Sequence, residues 1–232
     1  MNSPGYLSFL QVSAIPLFLL FSTTRVGQFF LMSEYAESFP PILGSQVHTL
    51  ILGTVPGQAS LKATQYYAHP RNAFWPIMMA IIANREKGTE GLKFNPSVPF
   101  SYEPAKSLDY THRCQQLSDN GYAIWDVLAS CTRPGSLDSK IVKGTEQPND
   151  IANLVRTHPE LTCIVCNGRT AENLLKRHIT KALPRPVHIQ STKGDELPPN
   201  AIRLLSLPST SPSMASLTLA DKYQVWAEGL LG

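Results

Sequence analysis

Beyond residue 32 the chain alternates short apolar runs, rich in β-branched residues and ending in Gly or Pro, with longer segments of helical period. That alternation predicts strands joined by helices. Residues 47–53 read as a first strand, 122–127 as a second, 163–168 as a third and 202–207 as a fourth. Helices are expected over 74–83, over 150–158 behind a capping acid, over 170–178 with Thr170 as N-cap, and over 220–230. Continuous apolar strands connected by helical crossovers imply a parallel sheet covered on both faces. The fold class is therefore α/β, a three-layer α/β/α architecture around a short central, mainly parallel four-stranded sheet. Two Pro-, Gly- and charge-bearing stretches, 85–111 and 185–200, read as surface loops. No repeat or linker divides residues 32–232, which are expected to form a single domain.

The first 31 residues break this pattern, because 6–21 are strongly apolar. A signal or anchor needs basic residues before the run and ~20 residues to span a bilayer. Here no positive charge precedes Arg25, and Pro16 interrupts the run. Residues 1–31 are expected to be an apolar N-terminal extension, with a misassigned start upstream of Met32 as the favoured explanation and an export or anchor role as the alternative. No membrane partner is expected.

Composition narrows the function less than the pattern does. At 232 residues and 43% apolar the chain can bury one substantial core. A net charge of +3 permits contact with nucleic acid without arguing for it. Cys163 and Cys166 have metal-site spacing, but they lie in an apolar run ending at Gly168, and neither Cys114 nor Cys131 supplies a second ligand pair. Small hydrophobes on a buried strand are the favoured reading. Neither a metal nor a cofactor is expected, and the cysteine usage points to a reducing, cytoplasmic setting.

The chemistry concentrates in residues 53–75, GTVPGQASLKATQYYAHPRNAFW, where the first predicted strand meets the first predicted helix. Glycines let backbone approach a ligand, Tyr and Trp offer faces for stacking, and His69, Arg71 and Asn72 offer polar heads. Such a set suits a nucleobase. Ligand sites in parallel α/β sheets gather at the carboxyl ends of the strands. The GTVPG and PSTSPS sequences that follow the first and fourth strands belong on that one rim.

Pro56-Gly57, Ser60-Leu61, residues 65–72 (QYYAHPRN) and Phe74-Trp75 resemble the mismatch-specific side of the uracil-DNA glycosylase superfamily, and most closely its hypoxanthine-DNA glycosylase branch. The resemblance continues through AIWDV at 123–127, RPGSLD at 133–138, Asn167-Gly168 and LPSTSP at 207–212. It implies a monofunctional, metal-independent DNA glycosylase. Such an enzyme flips a deaminated base, hypoxanthine in the favoured reading, and hydrolyses its N-glycosidic bond to begin base excision repair. The implied partner is DNA carrying that base. A monomer in the cytoplasm, on the nucleoid in a bacterium, is expected.

Where the mismatch-specific branch carries a loop Asn to position water, this chain has Val55, an aliphatic residue that cannot orient it. The resemblance implies that Asn72 takes that catalytic role. It also implies a base pocket of Val55, Pro56, Gly57, Gln58, Ser60, Tyr67, His69 and Asn167, with Tyr67 stacking on the flipped base. DNA contacts fall to Arg71, Arg133, Ser209, Ser211, Pro212, Ser213 and Met214, with Met214 or Ala215 the candidate wedge in the minor groove. For Asp126 the alternatives are activating water or ending a strand, the structural one favoured. RPGSLD reads equally as a phosphate contact or a turn. Competing readings are mismatch-specific uracil removal, a damage-recognition module without catalysis, and an unrelated α/β enzyme. The last lacks any phosphate-loop or dinucleotide glycine pattern.

Overall fold

The structure, a computed structural model, describes residues 34–84, 108–189 and 197–231. The expectations for residues 1–31, for most of the 85–111 loop and for 190–196 lie outside the described residues. In chain order the strands are β1 (Tyr35–Glu37), β2 (Thr49–Gly53), β3 (Tyr122–Asp126), β4 (Leu128–Thr132), β5 (Gln147–Pro148), β6 (Cys163–Asn167), β7 (Val187–Ile189) and β8 (Ile202–Leu207). The helices are α1 (Gln58–Ala63), α2 (Phe74–Asn84), α3 (Tyr110–Asp119), α4 (Ile151–Thr157), α5 (Arg169–His178) and α6 (Leu219–Leu231).

The central sheet runs β3-β2-β6-β8-β7, and every pairing in it is parallel. Four of its strands, β3, β2, β6 and β8, are the expected ones. The fifth, β7, adds at the edge beside β8 and corrects the expected count of four. A second, antiparallel sheet of β1, β4 and β5 was not anticipated.

Alternation along the strands divides the core into two layers. Leu50, Leu52, Ala123, Ile164, Cys166 and Leu204 face α4, α5 and the small sheet, while Ile51, Ile124, Val165, Leu205 and Leu207 face α2, α3 and α6. Helix α2 shows why the second layer forms. Phe74, Ile77, Met78 and Ile81 recur at i, i+3, i+4 and i+7, and all four are fully buried. Burying each such side chain stabilises the fold by about 1.5–3 kcal/mol.

Cys163 and Cys166 lie three positions apart on β6, so they point to opposite faces and join different layers. They cannot share one ion. Burial pushes the Cys166 thiol up to about 12 and raises that of Cys163, which leaves both as inert apolar side chains.

Helix α5 starts one residue earlier than expected, capped by Gly168 rather than Thr170. Gly168 has φ +102, and a Cβ there would lie 2.9 Å from Ser209 Cβ, so both conformation and space require glycine. That close approach brings the loop after β8 against the end of β6. Among the described residues, no helix is long and apolar enough to cross a membrane.

Candidate active site

The parallel register aligns Gly53 with Asp126 and Asn167 with Leu207, so the segments leaving β2, β3, β6 and β8 emerge on one rim. The two Pro- and Gly-rich loops share that rim, as the strand directions require.

Tyr67 is the centre of the site. Its backbone is left-handed, φ +56, a conformation that a bulky residue adopts only when its surroundings enforce it. Its ring stacks on Phe74 with centroids 3.9 Å apart and an interplanar angle of 22°. The ring is half-buried, whereas the hydroxyl at its far end is buried beside Asn167 and makes no hydrogen bond of good geometry among the described residues. That hydroxyl sits beside Gly53, where a Cβ would come within 3.2 Å of it and within 2.4 Å of Asp126 Oδ1. Glycine is required at 53 to leave this floor open. A buried, unpaired hydroxyl is costly, and a ligand with a polar edge would relieve it.

Asp126 closes the floor. It is 3% exposed, its Oδ2 accepts from Ser38 Oγ at 3.0 Å, and burial pushes its carboxyl up to about 7 despite that bond. Burial, then the nearby Asp126 charge, holds the Tyr66 and Tyr67 phenols above their ordinary range. Tyr66 is a support: its hydroxyl donates to the Phe39 carbonyl at 2.9 Å, and its own carbonyl accepts from Trp75 Nε1 at 2.9 Å.

The turn after Tyr67 holds the polar heads. His69 Nδ1 accepts the Arg71 amide at 3.1 Å, so in the neutral ring Nε2 carries the proton and is the available donor. Asn72 donates its amide to the His69 carbonyl at 2.8 Å, and its Oδ1 accepts the Phe74 amide at 3.0 Å. This second bond caps α2 and fixes the orientation of the Asn72 side-chain amide. One lone pair of Oδ1 and both Nδ2 hydrogens remain. Arg71 is exposed on the same turn.

Several expected site residues are placed otherwise. Arg133, anticipated as a phosphate contact, is 1% exposed and spends its guanidinium inside the protein. It donates to the carbonyls of Val55 at 3.3 Å, of Pro56, and of Gly135 at 3.2 Å, and pairs with Asp138 Oδ1 at 3.2 Å. It braces the loop leaving β2 and is not available to DNA. Ser60 is buried, and its hydroxyl accepts the Ala68 amide at 3.2 Å, pinning α1 to the Tyr67 turn instead of facing a base. The Val55 side chain packs into the α4–α5 core layer, so only backbone of the 55–57 loop lies toward the rim. Pro56 is buried behind it, Gly57 caps α1, and Gln58 reaches toward the Gly135 turn, its amide donating to Ser136 Oγ at 3.0 Å.

Asn167, expected in the base pocket, lies beside the Tyr67 hydroxyl and is also a latch. Its Nδ2 donates to Thr210 Oγ1 at 2.9 Å and its Oδ1 accepts the Thr210 amide at 2.8 Å. The Thr210 carbonyl accepts the Ala73 amide at 2.9 Å, tying the loop to the residue after Asn72. Beyond it Ser209 Oγ accepts the Ser211 amide, Ser211 Oγ lies 2.8 Å from Ser213 Oγ, and Pro212, Ser213 and Met214 reach toward solvent. Thr210 and Ser38 were not singled out in the sequence; each carries its role through position alone.

Fold and rim define a class: a three-layer α/β/α protein with a strained aromatic platform, a fixed amide and a braced backbone loop at the carboxyl ends of parallel strands. No family model matches the chain. It is 31% identical over 133 residues to a hypoxanthine DNA glycosylase from Methanosarcina barkeri (strain Fusaro / DSM 804), covering 57% of this chain and 71% of that protein. It is 33% identical over 153 residues to a hypoxanthine DNA glycosylase from Methanosarcina acetivorans, covering 64% and 84%. A solution structure from M. acetivorans that carries the provisional name uracil DNA glycosylase superposes with a TM-score of 0.55 at 26% identity, covering 84% of this chain and 98% of that one. The chain belongs to the hypoxanthine-DNA glycosylase branch of the uracil-DNA glycosylase superfamily.

Proposed function

We propose that this chain removes hypoxanthine from DNA, flipping the base out and hydrolysing its N-glycosidic bond to leave an abasic site. The observation that carries the reading is Tyr67: a half-open ring backed by Phe74, whose buried hydroxyl makes no hydrogen bond of good geometry until something polar enters beside it. The names of its two Methanosarcina relatives supply the base.

Extruding a base costs a few kcal/mol, least for a damaged, weakly paired one. Tyr67 stacks on it, and the backbone of Val55 to Gly57 meets its edge, held there by Arg133. As the base leaves, the sugar gains oxocarbenium character and the base gains negative charge. His69 Nε2–H donates to that charge. The remaining lone pair of Asn72 Oδ1 orients water toward the anomeric carbon, and a weak nucleophile suffices against a cationic sugar. No step uses a covalent enzyme intermediate or a metal. Arg71 and the hydroxyls of Ser209, Ser211 and Ser213 contact the backbone, and Met214, 36% exposed, fills the gap in the stack. Residues 32–232 act as one domain and as a monomer, in the cytoplasm.

The test is base release from duplexes holding a single hypoxanthine or uracil, with alkaline cleavage to reveal abasic sites. The proposal expects hypoxanthine release that is lost in Asn72→Ala while binding persists. Release of uracil alone moves the substrate to the pyrimidine, the reading favoured by the name of the structural neighbour. Tight binding with no abasic product on either duplex overturns the enzyme reading. Full activity in Asn72→Ala overturns the mechanism.

A further inference from the structure

Helix α6 opens against its own electrostatics. Thr218 caps it through a reciprocal pair: its Oγ1 accepts the Asp221 amide at 3.1 Å, while Asp221 Oδ2 accepts the Thr218 amide at 2.9 Å and hydroxyl at 2.7 Å. The acid of the first turn is thus engaged on the exposed side. The next residue, Lys222, sits in the same turn, where the helix dipole is positive and a cation is disfavoured. It is only 5% exposed.

Its Nζ donates to the Ser211 carbonyl at 3.1 Å. An ammonium has three donors, and among the described residues Lys222 makes no ion pair with a carboxylate. Burial alone accounts for the lowering of its pKa, with no acid acting on it. Bracing the loop does not explain the charge. One turn along, Trp226 Nε1 does the same work with a neutral N–H, donating to the Pro208 carbonyl at 2.9 Å. A buried cation at a helix N-terminus, held against a loop that goes on to the exposed Ser213 and Met214, lacks only an anion.

We propose that Lys222 is a DNA-phosphate residue, holding the Ser211 carbonyl in the free protein and taking a backbone phosphate as its counter-ion when the 208–214 loop meets DNA. The loop belongs to the rim through Thr210 and Ala73, so the phosphate is one close to the flipped nucleotide. This assignment rests on the DNA glycosylase reading above.

Three substitutions in the full chain separate charge from brace: Lys222→Arg keeps both, Lys222→Gln keeps a neutral donor, and Lys222→Met removes both. Affinity for a hypoxanthine-containing duplex is followed by fluorescence anisotropy across a KCl series, with thermal melting to establish folding. Each phosphate neutralised adds about 0.9 to the slope of log K against log salt. The Gln and Met variants are expected to lose about that much slope and to bind about tenfold more weakly at low salt, converging with wild type at high salt; Arg restores the slope. Should Met fail to fold, Gln alone reads the charge. An unchanged slope in Lys222→Gln, with or without weaker binding, overturns the proposal. If wild type still releases base under that outcome, the glycosylase reading stands. A wild-type chain that neither binds nor cleaves the duplex overturns both.

Discussion

Arg133→Met removes the donor fork from the β2 loop while keeping most of the buried stem. The structure sets the size of the loss. In the wild type the guanidinium serves the carbonyls of Val55, Pro56 and Gly135 and pairs with Asp138 at 3.2 Å, all behind a side chain 1% exposed. Breaking a buried ion pair by deleting one partner costs about 3–5 kcal/mol, because a charge and its acceptors are left without compensation. For a chain of this size each kcal/mol moves the melting temperature by about 2–4 °C, so a fall of about 6–20 °C is expected by circular dichroism at neutral pH. Asp138 then limits the damage at lower pH. Burial already raises its pKa, and Arg133 is among the groups that lower it. Without that guanidinium the folded-state pKa rises further above the unfolded value. The variant's stability from this group is retained at low pH and lost as pH rises, so its deficit shrinks between pH 7 and pH 5. Base release should fall with the loop displaced. A variant that melts within about 2 °C of wild type and loses only DNA affinity would falsify the bracing role and restore Arg133 as a phosphate contact.

Other consequences follow from the same floor. Gly53→Ala puts a Cβ 2.4 Å from Asp126 Oδ1 and 3.2 Å from Tyr67 Oη; overpacking costs about 1–3 kcal/mol, and base release should drop about tenfold or more in a protein that still melts cooperatively, whereas full activity would mean that the base sits elsewhere. Asp126 titrates in the fold at about 7, above its ordinary carboxylate value, so its contribution is present near pH 4 and lost as pH rises through 7, at most about 4 kcal/mol. Asp126→Asn is therefore expected to gain on wild type in melting temperature between pH 5 and pH 8, and a pH-independent gap counts against the assignment. EDTA should leave base release unchanged; its loss would call for a metal that the cysteines of β6 cannot hold together.

How far the sequence could be read depended on whether a segment's role lay in its own pattern. The strand at 202–207 matches β8 because the run is largely apolar, with Ile202, Leu204, Leu205 and Leu207 all buried. The first strand was read two residues early because Val47 is fully buried, yet its amide pairs with Glu160 Oε1 instead of a ladder partner. Helix α3 was missed for the opposite reason: YTHRCQQLSD fully buries Leu117 alone, and its stripe of Tyr110, Cys114 and Leu117 is thin and otherwise only partly buried. Strand β7 is three residues, none of them fully buried, at the sheet edge. In the site, Tyr67 and Asn72 were visible as aromatic and amide within a dense motif. Arg133 was not: an Arg before Pro and Gly looks like a surface turn, and only the fold reveals that it points inward. Lys222 looks like a solvated helix residue, and the available signal was its i to i+4 spacing to Trp226 on the buried face.

Three consecutive residues, Asn72 to Phe74, link the proposed chemistry to the 208–214 loop. Asn72 accepts the Phe74 amide and so caps α2; Phe74 stacks beneath Tyr67; Ala73, between them, donates to Thr210 in the 208–214 loop. The amide proposed to orient water, the platform proposed to receive the base and the segment proposed to meet the DNA backbone therefore share one rigid turn. Thr210 is itself fully buried and doubly bonded to Asn167. A displacement of the loop cannot be absorbed at that junction; it must pass to the Asn72 turn or break a buried hydrogen bond at about 1–3 kcal/mol. An enzyme that must ignore normal bases in vast excess gains from this coupling. On the proposed mechanism, the Asn72 amide is held in register only while the loop keeps its seat, so DNA contact at the loop bears directly on the position of that amide.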